Sequence, residues 1–186
     1  MARVKGTALR SSVALLQENL GPDGTAQVIS TLSENDREQV EGPILQSSWY
    51  EFSLLLRLME AARPRFPAHP KRSLAWELGR FSADYGLKTI YRIFFKVADP
   101  HFIIRKASQV FCNYYDSGKM EVVSLDPKSA HLRVLGFDQP CTEFCDRVQG
   151  WMERTLELTG AQNIVMSHPK CMVKGDASCD FVGRWT

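Results

Sequence analysis

The chain has 186 residues, of which 44% are hydrophobic and 24% are charged, and its formal net charge is +2. This length favours one domain with a substantial core, and no apolar stretch approaches the roughly 20 residues of a bilayer-spanning helix. The basic residues are scattered among acidic ones, which argues against the basic stripe of a nucleic-acid-binding protein. We therefore expect a single domain over residues 1–186 that binds neither membranes nor nucleic acid.

The first quarter of the chain shows modest helical patterns. One helix is predicted to end at Gly21, a second to run from Pro22 to Leu32, and Ser33 is predicted to cap a short polar helix. We predict that residues 1–42 form a helical arm or lid outside a core of residues 43–186.

The next segments carry stronger apolar stripes at helical spacing. A helix is predicted to begin at Trp49, with Ser48 as its N-cap, and to end at Arg63-Pro64. Another is predicted over Leu74 to Tyr85, ending at Gly86. These helices supply the apolar faces from which a helical N-terminal half is built.

Residues 89–115 are rich in aromatic side chains and are divided by Asp99-Pro100, which predicts two helices. Ordinary core packing explains any single aromatic residue there. Together they are also typical of a small-molecule pocket, which is lined mainly by apolar side chains. The candidate pocket residues are Tyr91, Phe94, Phe95, Phe111 and Tyr115, with Trp151 from a later helix.

After Gly118 the periodicity changes from helix to strand. A long helix from Pro140 to Thr159 interrupts the strands. The predicted strands are Met120–Leu125, His131–Phe137, Gln162–Met166, Cys171–Lys174 and Cys179–Trp185. The pattern predicts an α+β fold, in which a helical N-terminal half packs on an antiparallel sheet with one crossing helix.

Four side chains of metal-ligand type follow the spacing Cys145-x22-His168-x2-Cys171-x7-Cys179. Gly175-Asp176 favours a tight hairpin that would bring Cys171 and Cys179 onto facing strands. Four protein ligands leave no open coordination position, so this set predicts a structural zinc rather than a catalytic one. Burial of the cysteines as small core residues is the alternative. A Cys171–Cys179 disulfide is disfavoured, because the chain begins without an apolar signal segment and a reducing cytoplasm is expected.

Cys145, Gly150-Trp151, Cys171, Gly175-Asp176 and Cys179 together resemble the family named after bacteriochlorophyll 4-vinyl reductase. That family shares a superfamily with heme nitric-oxide sensors and TRAPP trafficking subunits. The resemblance implies a small-molecule-binding domain and, as in the phenol-sensing members of the family, a zinc held by Cys, Glu, Cys and Cys, with the Glu position occupied here by His168. Four further segments resemble an uncharacterised bacterial branch in which this domain stands alone: Ser48-Trp49-Tyr50, Leu78-Gly79-Arg80, Asp99-Pro100 and Tyr114-Tyr115-Asp116-Ser117-Gly118.

We therefore predict a cytoplasmic sensor or regulatory module with a zinc site and a pocket for an apolar or aromatic molecule, and we expect a homodimer. The alternative is a TRAPP-like assembly protein without a small-molecule ligand. Catalysis is not expected, because no nucleophile triad, phosphate-binding glycine loop or dinucleotide motif is present. Heme is not expected either, because His69, His101 and His131 lie at positions that favour solvent exposure.

Overall fold

The computed structural model describes residues 1–66, 69, 72–89 and 99–186, without the side chains of 87–89. Among the described residues, the N-terminal half is mainly helical with two short strands, and the C-terminal half combines helices with the longer strands. The helices are α1 (Gly6–Ile29), α2 (Glu34–Glu41), α3 (Phe52–Ala62), α4 (Leu74–Thr89), α5 (Pro100–Arg105), α6 (Ala107–Tyr114) and α7 (Thr142–Leu158). The strands are β1 (Arg3–Lys5), β2 (Trp49–Glu51), β3 (Lys119–Asp126), β4 (Ser129–Leu135), β5 (Val165–Lys170) and β6 (Ser178–Arg184).

The antiparallel sheet has the strand order β3-β4-β6-β5, and β1 pairs with β2 in a separate two-stranded sheet. The predicted α+β fold is confirmed. In the order of the chain, α7 lies between β4 and β5 of the larger sheet. No helix in the described part of the chain is long and apolar enough to span a bilayer.

The start of one predicted helix and one predicted strand are wrong. Trp49 does not begin a helix, because Trp49–Glu51 pairs with the N-terminal strand and Gly6 donates to the carbonyl of Ser48 at 2.9 Å. Cys171–Lys174 is not a strand, because the chain turns there in the 3-10 helix Met172–Lys174. Both errors arise from backbone hydrogen bonds that a side-chain pattern does not report.

The helix break predicted at Gly21 is present as a kink in α1, where Gly21 has φ 68° and Pro22 follows. Leu9 and Leu16, from the predicted arm over residues 1–42, are buried in the same core as α3 and α7. A cluster of aromatic rings forms the centre of that core. Its members are Phe52, Phe111, Tyr115, Phe137 and Phe144, with Phe137 and Phe144 stacked at 3.9 Å.

Helices α4 and α7 approach until their backbones touch. A Cβ atom on Gly79 would lie 2.1 Å from the Arg147 carbonyl oxygen, and one on Gly150 would lie 2.2 Å from that of Trp76. Only glycine permits this approach, since real Cβ atoms do not come so near a backbone oxygen. The contact fixes α7 against α4 and so fixes every side chain that α7 presents to the interior.

Candidate metal and ligand sites

The structure brings Cys145, His168, Cys171 and Cys179 together. One potential ligand atom from each residue lies within 4.8 Å of the others. The Sγ atom of Cys145 is 3.8 Å from that of Cys171 and 3.6 Å from that of Cys179. Sulfur atoms at the corners of a tetrahedron, each about 2.3 Å from a central zinc, would lie about 3.8 Å apart. The sulfur spacing is therefore that of a tetrahedral thiolate site, and none of these cysteines forms a disulfide.

Local backbone features aim each side chain at this cluster. Cys171 follows β5 and enters the 3-10 turn, where its N–H donates to the Asp176 carboxylate at 2.8 Å and Gly175 takes φ 94°. The N–H of Met172 points at Cys179 Sγ, 3.4 Å away. These contacts close a loop around the two cysteines and replace the simple hairpin that the sequence predicted.

His168 reaches the cluster because β5 is irregular at that point. The pairing of β5 with β6 shifts register between Ser167 and Lys170, where Pro169 has no N–H to donate. The His168 ring stacks on Phe181 at 4.5 Å, and its buried Nε2 atom has no hydrogen-bond partner among the described residues. A buried ring nitrogen without a partner is costly in protein and is satisfied by a metal ion.

The thiols of the cluster polarise one another. The hydrogen bond from Cys145 lowers the pKa of the Cys179 thiol, and the same contact together with burial raises the pKa of Cys145. This arrangement favours the thiolate form of Cys179 over that of Cys145. Metal binding requires thiolates, so the cluster carries part of the charge that a cation would meet.

A second candidate site is an apolar cavity of about 80 Å³ between α5, α6, α7 and the sheet. Phe111, Tyr115 and Trp151, three of the predicted pocket residues, line it. Tyr91, Phe94 and Phe95 lie outside the described residues. Contact of the lining aromatics with a ligand stays a prediction.

Sequence reasoning missed Arg147, which also lines this cavity and is only 4% exposed. It is three residues after Phe144 and four before Trp151, so it lies on the apolar stripe of α7. An arginine within such a stripe was the available signal. Its guanidinium donates to Ser12 Oγ, Ser82 Oγ and the Ala8 carbonyl at 3.2, 2.8 and 3.2 Å.

No protein-family model matches the chain, and no curated protein matches it. Solved structures do match, over nearly the whole chain. The fold is that of H-NOX domains. An H-NOX protein from S. oneidensis in the Fe(II)NO ligation state has a TM-score of 0.74 at 14% identity, covering 98% of this chain and 99% of that one. An oxygen-binding H-NOX domain related to soluble guanylate cyclases has 0.71 at 10%, covering 98% and 95%.

The prediction that no heme is expected is contradicted by these matches. A further match is a structure described by how protein-induced porphyrin distortion modulates heme redox potential; it has a TM-score of 0.69 at 10% identity and covers 98% of this chain and 95% of that one. The matches give no support to the 4-vinyl-reductase or TRAPP labels, while the heme nitric-oxide sensors were part of the predicted superfamily.

The described cavity lining contains side chains that can ligate heme iron, but the free volume of the cavity is too small for heme. Tyrosine and methionine can ligate heme iron, and the lining contains Tyr114, Tyr115, Met120, Met152 and Met166. The free volume of about 80 Å³ is below the roughly 300–1,000 Å³ of ordinary small-molecule pockets. A macrocycle does not fit this conformation of the described residues without displacing side chains.

Proposed function

We propose that this chain is a small-molecule-binding sensor module in which a structural zinc ion fastens the C-terminal strands to α7 beside a ligand cavity. The observation that carries the proposal is that α7 contributes to both sites. Cys145 belongs to the Cys/His cluster, and Val148, Trp151 and Met152 belong to the cavity wall.

The ligand set of Cys145, His168, Cys171 and Cys179 supports zinc over harder cations. Thiolate and imidazole ligands suit zinc, whereas Mg²⁺ and Ca²⁺ take oxygen ligands. With four protein ligands the ion would have no open position for substrate, so its role would be structural. A structural ion of this kind is compatible with a sensing module and argues against metal catalysis at the cluster.

The structural matches support sensing of a small ligand. They include an H-NOX protein in the Fe(II)NO ligation state and an H-NOX domain in complex with oxygen. Cavity-lining residues of this chain come from α7 and from β6, where Phe181 and Gly183 follow Cys179 by two and four residues. A ligand that moved α7 relative to β6 would therefore act on the elements that the metal cluster joins.

The proposal is tested by a thermal-shift screen of aromatic, lipid-like and gaseous ligands on the purified chain, with metal analysis and an absorption spectrum of the same sample. We expect one zinc per chain and a raised melting temperature with at least one ligand class, since a ligand that binds only the folded state stabilises it. A Soret band would identify the ligand-binding group as heme. No response to any ligand in a zinc-loaded protein would overturn the sensing proposal.

Light scattering on the same sample tests the predicted homodimer, which is a separate part of the proposal. A stable dimer that responds to no ligand would favour an assembly role instead.

A further inference from the structure

Two hydrogen-bond donors on α7 line the cavity. Among the described residues, one has no carboxylate partner and the other has no hydrogen-bond acceptor. The first is the guanidinium of Arg147. Among the described residues it donates to the hydroxyl groups of Ser12 and Ser82 and to the Ala8 carbonyl oxygen, the neutral Tyr115 hydroxyl also interacts with it, and no ion pair includes it. Residues 67, 68, 70, 71 and 87–98, whose side chains lie outside the description, contain no Asp or Glu. The cavity thus holds a buried positive charge with no carboxylate of the chain beside it.

Leaving that charge unpaired costs several kcal/mol, because a cation removed from water needs either an anion or full solvation. Arginine does not escape the cost by losing its proton within the physiological range, although burial lowers its pKa. Tyr115 does not supply the counterion, because burial raises its pKa to about 12 and its hydroxyl is neutral at pH 7.

The second donor is the indole of Trp151, four residues after Arg147. Its buried Nε1 atom has no hydrogen-bond partner in the described part of the chain. Residues four apart lie on the same face of a helix, with Cβ atoms about 5–6 Å apart. The two donors therefore face the cavity from adjacent turns of α7, close enough to address one small acceptor group.

We propose that the cavity binds a small apolar or aromatic molecule with one carboxylate, whose oxygens accept hydrogen bonds from the Arg147 guanidinium and the Trp151 Nε1–H. This inference rests on the proposed ligand-binding function and names its ligand class. A carboxylate satisfies the planar donor fork of arginine and neutralises its charge. The rest of the lining, such as Ile104, Val148 and Leu156, suits the apolar body of the molecule.

The methionines of the wall allow the cavity to widen. Its free volume of about 80 Å³ is roughly half that of a cavity of about 150 Å³ that admits benzene in another protein. Met120, Met152 and Met166 have flexible, unbranched side chains that repack at low cost. A single ring or a short acyl chain is therefore the size class that the site accepts.

The test compares ligands of one shape and different charge by calorimetry on the full chain. Benzoate is paired with nitrobenzene, which is isoelectronic and neutral, and octanoate is paired with octanol. We expect at least one acid to bind about 10-fold more tightly than its neutral partner, a difference of about 1.4 kcal/mol. Equal affinities, or a preference for the neutral partner, would overturn the carboxylate inference and leave the proposed function standing. Binding of none of the four would count against both.

Variants locate the effect. Arg147→Met should remove the preference for the acid while the neutral partner still binds, and Trp151→Phe should weaken acid binding about 3- to 10-fold through one lost hydrogen bond. Arg154→Met is the matched control. Arg154 lies on the same helix and pairs instead with Asp84 and Glu157. If Arg147→Met does not fold, Arg147→Lys retains the charge without the fork, and we expect it to keep only part of the preference. An unchanged acid preference in either Arg147 variant would overturn the inference.

Hemin is titrated separately, because it also joins carboxylates to an apolar body. A Soret band that is weaker in Arg147→Met than in the wild-type protein would show that the carboxylate bound by Arg147 belongs to heme. A Soret band of equal strength in both proteins, without any acid binding, would contradict the assignment of Arg147.

Discussion

The Cys/His cluster and the apolar cavity share helix α7 and differ in what the protein supplies to each. In the cluster, three thiols and an imidazole come from α7, β5, β6 and the turn between the two strands, and the sulfur spacing is that of a tetrahedral thiolate site. In the cavity, a guanidinium and an indole N–H are present, and no carboxylate of the described residues pairs with the guanidinium. The first arrangement suits a tightly bound metal ion, and the second suits a ligand that binds reversibly.

The same helix serves both because of its periodicity. Cys145 and Arg147 are two residues apart, which places them about 200° apart around the helix axis. Cys145 faces β6, while Arg147 faces α1 and α4 through Ser12 and Ser82. A substitution on one face of α7 should therefore affect one site and leave the other intact.

Loss of a proposed metal ligand should have the largest effect. Cys179 is fully buried, and Cys179→Ser should remove the zinc and lower the free energy of unfolding by about 4 kcal/mol or more, which lowers Tm by about 8–16 °C. A chelator should likewise remove zinc from the wild-type protein and lower its Tm. Thermal unfolding with metal analysis measures both.

Cys141→Ser is the matched control for that change. Cys141 caps α7 through the N–H of Phe144 and is not part of the cluster. Because serine is a good N-cap, stability should change by no more than about 0.5 kcal/mol, with zinc retained. A loss of zinc in this variant, or its retention in Cys179→Ser, would contradict the assignment of ligands.

Gly79→Ala should affect the cavity more than the cluster. The new methyl group would meet the Arg147 carbonyl and push α4 from α7, at a cost of about 3 kcal/mol. We expect ligand binding to be lost while the zinc content stays at one per chain, as measured by calorimetry and metal analysis. Gly86→Ala, whose methyl group would meet the Tyr114 hydroxyl among the described residues and no described backbone atom, should cost less.

The Asp36–Arg57 pair provides a pH effect independent of both sites. Arg57 donates to both oxygens of the buried Asp36 carboxylate at 2.6 and 2.7 Å, and this lowers the pKa of Asp36. The resulting stability is present above the unfolded-state pKa of about 3.9 and is lost as the pH falls through the folded-state pKa. Asp36→Asn should cost about 1–2 kcal/mol at pH 7, since Arg57 is partly exposed.

Denaturant titrations of wild type and Asp36→Asn between pH 2 and 7 measure this difference. The gap should close below pH 4, and a constant gap would show that the carboxylate charge contributes nothing.

Filling the cavity should produce the smallest change in stability. Ala107 lines the cavity, and Ala107→Leu should stabilise the unliganded protein by about 0.5–1 kcal/mol while it abolishes ligand binding. Ala83 is fully buried away from the described cavity lining, so Ala83→Leu should overpack the core and destabilise it by about 1–3 kcal/mol. Equal destabilisation by both changes would mean that the cavity has no usable space.

The sequence predicted the α+β fold and the residues of the cluster better than it predicted local geometry. The spacing of Cys145, His168, Cys171 and Cys179 identified the set that the structure brings together, because residue types and their order along the chain can be read from the sequence alone. It did not reveal the 3-10 turn after Cys171 or the shifted register at His168, since backbone hydrogen bonds decide both.

Arg147 was not recognised because its neighbours on α7 are consistent with a core helix, and its hydrogen bonds to Ser12 and Ser82 depend on distant segments. The expectation of no heme failed for a different reason. It was based on the surroundings of individual histidines, whereas the evidence against it came from the whole fold.

The most direct measurement is X-ray absorption at the zinc edge of the purified chain, together with its metal content. The account predicts one zinc per chain, with three sulfur ligands at about 2.3 Å and one nitrogen at about 2.0–2.1 Å. Protein without zinc that unfolds at the same temperature with and without chelator would contradict it.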